Sequence, residues 1–154
     1  MVKKSPVPDI EIASNLAAQL RSVLSRLKRR LRERGGREDL TPSQISVLLR
    51  LEAYGPDTVS SLARAEGVRP QSMSAIVESL LNAGLVKSMP DSKDGRKTLM
   101  SLTKSCEKLI QEARMARQDW LTKTILQKLS TQEQQQLAKA LELLNRLTED
   151  GSLE

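Results

Sequence analysis

The chain has 154 residues and a net charge of +6, with no His, no Phe and one each of Cys, Trp and Tyr. Without histidine there is no imidazole metal ligand and no Ser-His-Asp or Cys-His pair, and one cysteine makes neither an internal disulfide nor a Cys-x-x-Cys site. Two aromatic side chains cannot tile a stacking platform for single-stranded nucleic acid; the expectation is no catalytic residue, no metal and no cofactor.

The length suits one domain or two small lobes, and the hydrophobic content is 38%, much of it Leu and Ala. No apolar run approaches the roughly 18 residues of a membrane span. Met1-Val2-Lys3-Lys4 has no apolar stretch behind it, so no signal peptide is expected. The expected setting is the cytoplasm, with no membrane partner.

A first helix is predicted over residues 9–34. Leu16, Leu20, Val23, Leu24, Leu27 and Leu31 recur at spacings of three and four as one apolar stripe, and Gly35-Gly36 ends it. The same segment holds most of the charge. Arg21, Arg26, Lys28, Arg29, Arg30, Arg32, Arg34 and Arg37 face Glu33 alone, a local +7 that leaves the remainder close to neutral. Such a run is either a phosphate-binding stripe or a solvated helix face with its cations toward a helix C-terminus.

Leu40-Thr41-Pro42-Ser43-Gln44-Ile45 is a complete helix start. Thr41 caps, Pro42 fits the first helical position, Gln44 completes a capping box, and Leu40 and Ile45 form a hydrophobic staple. The helix carries Ile45, Leu48, Leu49 and Leu51 and ends near Gly55-Pro56. A short helix follows over 59–66, capped by Thr58 and closed by Gly67, and another runs from Pro70 to Ala83 before Gly84. Short helices joined by tight Gly-containing turns spell a helix-turn-helix. Residues 85–89 and 97–102 read as strands around a turn-rich 90–96 loop, a wing behind the helix. Helical periodicity returns from Thr103 through Leu109, Ile110, Ala113, Trp120, Leu121 and Leu129. A second capping box, Ser130-Thr131-Gln132-Glu133, restarts a helix with Leu137, Leu141, Leu144 and Leu147, and the tail over 150–154 reads as frayed.

The helix from Pro70 has two faces. Met73, Ile76, Val77, Leu80 and Leu81 belong inside, which leaves Gln71, Ser72, Ser74, Ala75, Glu78 and Ser79 outside. Small side chains let a helix backbone approach the major-groove floor, Gln and Ser can bond to base edges, and Ala can meet a thymine methyl. An ordinary surface helix of small residues would look the same. Its neighbours favour the first reading. Thr58, Ser60, Ser61, Arg64 and Arg69 are placed to hold backbone phosphates, as are Lys93 and Lys97 on the hairpin. Arg96 at the tip can enter a minor groove. Asp94 either orients that guanidinium through an ion pair or serves as turn chemistry with Gly95.

Several of these residues carry a family resemblance: Leu40-Thr41-x-x-Gln44, Val59-Ser60-Ser61-Leu62-Ala63, Leu80-x-x-x-Gly84-Leu85-Val86, and above all Asp91-x-x-Asp94-Gly95-Arg96 followed by Leu102-Thr103. In that order they resemble the winged helix-turn-helix core of MarR-type transcriptional regulators, and the flanking helices match the family's dimerisation elements in placement. The resemblance implies a homodimer on a pseudo-palindromic operator, often a repressor released by a ligand or oxidant. By position, Gln71, Ser72, Ser74 and Ala75 would face bases and Arg96 the minor groove. Two departures stand out. Cys106 occupies a position where the family usually has Gly, close to a helix N-terminus that favours a thiolate, so an oxidant sensor is weighed against a small buried hydrophobe. Lys87-Ser88-Met89 lacks the Arg often found before the wing.

The expected fold is therefore mainly α with a small β-hairpin wing: an N-terminal dimerisation helix over 1–36, a winged helix-turn-helix core over 37–103 and C-terminal dimerisation helices over 104–154. The apolar stripes of the outer helices need covering, by a second copy or by one another as an intramolecular three-helix cap. Arg21, Arg26 and Arg30 are candidates to hold a small anionic effector between the dimerisation helices and the winged core. Tyr54 and Trp120 are the only aromatics for a stacking pocket. Two other classes compete with a DNA-binding regulator. One is a winged-helix interaction module, an antiregulator that no longer binds DNA. The other is a membrane-surface protein using the basic helix, which the lack of Trp or Phe on that helix disfavours.

Overall fold

A computed structural model of the chain describes residues 9–36 and 39–149. The opening Met1-Lys4 segment, Arg37 of the basic run and the 150–154 tail lie outside the described residues. Six helices and one hairpin follow in order: α1 (Ile10–Arg34), α2 (Pro42–Tyr54), α3 (Val59–Glu66), α4 (Pro70–Asn82), β1 (Val86–Pro90), β2 (Thr98–Leu102), α5 (Lys104–Lys128) and α6 (Thr131–Arg146). None of the described helices is long and apolar enough to cross a membrane.

Local chemistry sets these boundaries. Both capping boxes form: the Thr41 hydroxyl accepts from the Gln44 N–H while Gln44 Oε1 accepts from the Thr41 N–H, and Ser130 and Glu133 do the same. Gly67 ends α3 at φ +65°, a left-handed conformation that costs a side-chain-bearing residue about 1–2 kcal/mol. It turns the chain so that the Val68 N–H returns to the Ala63 carbonyl at 3.0 Å.

One apolar core lies among α2, α3, α4, the hairpin and the first turns of α5. Leu48, Leu62, Met73, Leu80, Val47 and Cys106 are its most deeply buried side chains, and Leu51, Val77, Val86, Met100, Leu102 and Ile110 fill the rest. Each large buried side chain contributes about 1.5–3 kcal/mol of transfer free energy. Leu81 and Leu49 depart from expectation and are partly exposed, because each sits off the inward face of its helix.

The strands pair antiparallel from Val86 with Leu102 to Pro90 with Thr98. A third segment joins them: Asp57 and Met100 exchange both backbone hydrogen bonds, at 3.0 and 2.7 Å. The start of α3 is thereby fastened to the wing. Thr103 secures the other side, its hydroxyl donating to the Gly84 carbonyl at 2.8 Å while accepting from the Cys106 N–H.

The outer helices are only partly covered. The last turns of α1 meet α5, where Arg117 Nε donates to the Leu31 carbonyl at 3.3 Å and Arg34 lies over the Trp120 ring at 5.6 Å. The Arg117 guanidinium lies directly over Gly35, so a side chain there would make it shift. Arg114 joins α5 to α2 through two bonds to the Glu52 carboxylate, at 3.1 and 2.9 Å, which hold its pKa above the ordinary arginine value. α6 buries none of its residues, and α1 none either.

Candidate nucleic-acid interface

The α3-turn-α4 unit presents α4 along its outer edge. Met73, Val77 and Leu80 hold its inner face, so helical periodicity turns Gln71, Ala75 and Glu78 furthest outward, with Ser72 and Ser74 on the flanks; all five are exposed. The other five helices each have a side chain that caps their first turn: Asp9, Thr41, Thr58, Thr103 and Ser130. At α4 the cap position is Arg69, which makes no such bond, and Pro70 has no N–H to satisfy. The Gln71 and Ser72 N–H groups thus face outward without a capping acceptor, the arrangement that receives a phosphate oxygen.

Two of the α4 hydroxyls are less free than the sequence suggests. Ser74 Oγ donates to the Pro70 carbonyl at 3.0 Å and keeps only its acceptor capacity. Ser79, expected outside, is half-buried: its hydroxyl donates to the Ile76 carbonyl at 2.6 Å and accepts from Gln44 Nε2 at 2.8 Å. Nothing in the local pattern marks Ser79, because its partner is 35 residues away in sequence.

On α3, Ser60 and Arg64 are exposed, as is Arg69 in the turn. Ser61 is not available as expected. Its hydroxyl donates to Asp57 Oδ2 at 2.8 Å, and a phosphate brought to it would also meet that carboxylate. Thr58 caps α3 by accepting from the Ser61 N–H at 3.1 Å, leaving its own proton for a partner.

The wing loop carries Lys93, Arg96 and Lys97, all exposed. Its two aspartates hold its shape: Asp91 Oδ1 accepts from the Lys93 N–H at 2.9 Å and Asp94 Oδ1 from the Arg96 N–H at 3.1 Å. These are Asx turns, in which a short carboxylate reaches the amide two residues on. The Asp94–Arg96 ion pair is absent among the described residues, so the guanidinium stays open to an outside anion. Asp94-Gly95 does not make a two-residue hairpin turn either; Gly95 is not at positive φ, and the loop spans 91–97 between the strand ends.

Arg21, Arg26 and Arg30 are exposed on α1, and Arg21 lines an open hollow on the helix surface. The apolar cleft between α1, α2 and α5 is lined instead by Ile45, Leu48, Leu49, Ile110 and Ala113 with the cations Arg32 and Arg117. A run of eight cations cannot reveal which of them the helix turns toward its neighbours. Each aromatic carries a cation over one face, Trp120 Arg34 and Tyr54 Arg50 at 4.9 Å, and Tyr54 is otherwise exposed. Cys106 is fully buried among the apolar side chains of the core. The described residues contain no cluster of His, Cys, Asp or Glu able to hold a metal ion.

A helix-turn-helix followed by a two-stranded wing and framed by long helices defines a winged-helix protein. Residues 40–98 match the MarR family model. An HTH-type transcriptional regulator of Mycobacterium leprae is 35% identical over 138 residues, covering 90% of this chain and 96% of the relative. One from Mycobacterium tuberculosis is 36% identical over 138 residues with the same shares. Among solved structures, a candidate transcriptional regulator from Pseudomonas aeruginosa PA01 is 32% identical with a TM-score of 0.74, over 88% of this chain and 96% of the other. A MepR mutant from S. aureus bound to an oligodeoxyribonucleotide shares the fold, at 24% identity and a TM-score of 0.69, over 86% of this chain and 97% of the other. The chain belongs to the MarR family of transcriptional regulators.

Proposed function

We propose that two copies of this chain read a pseudo-palindromic double-stranded operator in the cytoplasm and repress transcription by occupying it. In this reading residues 37–103 are the reading head, while 1–36 and 104–154 hold the dimer together. The observation that carries it is α4 itself, whose outward face is small and polar and whose first-turn N–H groups have no capping side chain. Gln71, Ser72 and Ala75 meet bases, and Ser74 contributes as an acceptor. Arg96 enters the minor groove. Thr58, Ser60, Arg64, Arg69, Lys93 and Lys97 position the phosphates.

The dimer reading is supported by the uncovered apolar side chains of the outer helices: Ile10, Ile12 and Leu16 on α1, with Leu141, Leu143 and Leu147 on or next to α6. A second copy is the occupant that brings two reading heads to one DNA. A small anionic effector between the dimerisation helices and the winged core would find Arg32 and Arg117 as cations at the α1–α2–α5 cleft, with Arg21, Arg26 and Arg30 exposed on α1.

Selection of duplexes from random DNA, followed by salt-titrated binding, tests the reading. The selected duplex should be preferred over mixed-sequence DNA by about 10³-fold or more, and log K should fall steeply with log[salt] as phosphate-bound cations are released. If no duplex is preferred over mixed-sequence DNA, the chain is an interaction module instead.

A further inference from the structure

Within the reading head one side-chain hydrogen bond joins α2 to α4, on the flank of α4 two turns along from Ser72. Gln44 is the third residue of α2, and its side-chain oxygen is committed to the Thr41 N–H at 2.8 Å. That fixes the amide's orientation. Were it reversed, the NH2 group would face the Thr41 donor and the oxygen would face Ser79. As it stands, Nε2 donates to Ser79 Oγ at 2.8 Å, and Ser79 passes its own proton to the Ile76 carbonyl at 2.6 Å. The Gln44 and Ser79 side chains are thus linked in one direction, from Gln44 Nε2 through Ser79 Oγ to the Ile76 carbonyl, and both are half-buried.

The other contacts that hold the inner face of α4 are made by Met73, Ile76, Val77 and Leu80. Interdigitated apolar packing of this kind fixes how close α4 lies and limits its rotation, but no single dispersion contact specifies one angle within that range. A hydrogen bond has a preferred direction. Side-chain tips lie about 5–6 Å from a helix axis, so a 10° turn of α4 would move Gln71 and Ala75 by about 1 Å. A shift of that size takes a base-edge hydrogen bond out of range.

We propose that the Gln44–Ser79 hydrogen bond sets the rotational register of α4 and so governs sequence selectivity, with Gln44 and Ser79 acting as positioning residues that never touch DNA. The inference rests on the reading of α4 as the base-contacting helix. One glutamine thereby does two jobs, closing the start of α2 and pinning the helix packed against it.

Ser79→Ala is the informative variant, since it removes the pin and leaves the α2 capping box untouched. Alanine suits a helix interior, so the melting temperature should stay within a few degrees of wild type. Affinity for the duplex selected by the wild type should fall about tenfold while affinity for mixed-sequence DNA stays unchanged. Ser79→Thr, which keeps the hydroxyl, should restore most of the preference. The side-chain amide protons of Gln44, followed by NMR in the free protein, should exchange faster in Ser79→Ala. Equal selectivity of wild type and Ser79→Ala would overturn the proposal, as would parallel loss on both DNAs. If the wild-type chain itself selects no duplex, the DNA reading fails and this inference with it.

Discussion

Leu80→Ala should destabilise the fold by about 2–5 kcal/mol. Leu80 is 0% exposed and belongs to the core shared by α2, α3, α4 and the hairpin. Truncation removes its transfer free energy and leaves a cavity that the close-packed core around it can only partly fill. Against the roughly 5–15 kcal/mol that separates a native domain from its unfolded state, this is a large fraction. In urea titrations the midpoint should drop with little change in slope. Leu81→Ala, one residue on, should cost about 1 kcal/mol or less, because Leu81 is 37% exposed. Similar losses at the two positions would show that α4 does not sit with the face described here.

The second large effect belongs to the wing. Arg96→Ala should weaken binding to the selected operator by about 1–3 kcal/mol, read by fluorescence anisotropy at fixed salt, while leaving thermal stability unchanged. Both parts follow from geometry. Arg96 is exposed and without an ion-pair partner, so nothing in the fold depends on its charge. Its backbone is held by the Asp94 carboxylate, so the loop keeps its shape in the variant. Asp94→Ala should loosen the loop and lose affinity too, though Arg96 is still present. If Arg96→Ala binds as tightly as wild type, the wing does not reach DNA.

Much of this could be read from the sequence because the deciding signals are local. Thr41-Pro42-x-Gln44 fixes the start of α2 through atoms within three residues of one another, and the glycines at 67 and 84 stop helices by conformational freedom alone. The inward face of α4 follows from periodicity except at Leu81, where the stripe runs off the edge. The errors share a different cause. Ser61 and Ser79 are small, polar and helical, indistinguishable by residue type from Ser60 and Ser72; Ser79 is engaged by Gln44, 35 residues away, and Ser61 by Asp57 just ahead of its helix. The bridge between Asp57 and Met100 is a single residue pair, too short to carry a strand period. The cleft arginines were hidden by abundance: eight cations in seventeen residues say nothing of which row meets α5, and Arg117 lies on another helix altogether.

Charge and reading are divided between parts of the molecule. The basic run lies on α1 and just past it, whereas α4 exposes Gln71, Ser72, Ala75 and Glu78 with no lysine or arginine among them. Excess positive charge raises encounter rates with any DNA, and choice among sequences rests on groups that can fail to match a base. Neutralising substitutions on α1 should therefore scale affinity for all duplexes together, unlike changes in α4.

The central claim is that two copies place two reading helices on one operator. Hydroxyl-radical footprinting of the wild-type protein on its selected duplex tests it most directly. Two symmetric protected half-sites should lie about one helical turn apart, 10–10.5 base pairs centre to centre, each with a protected minor groove where Arg96 enters. A single protected half-site, or uniform weak protection along the duplex, would contradict the account.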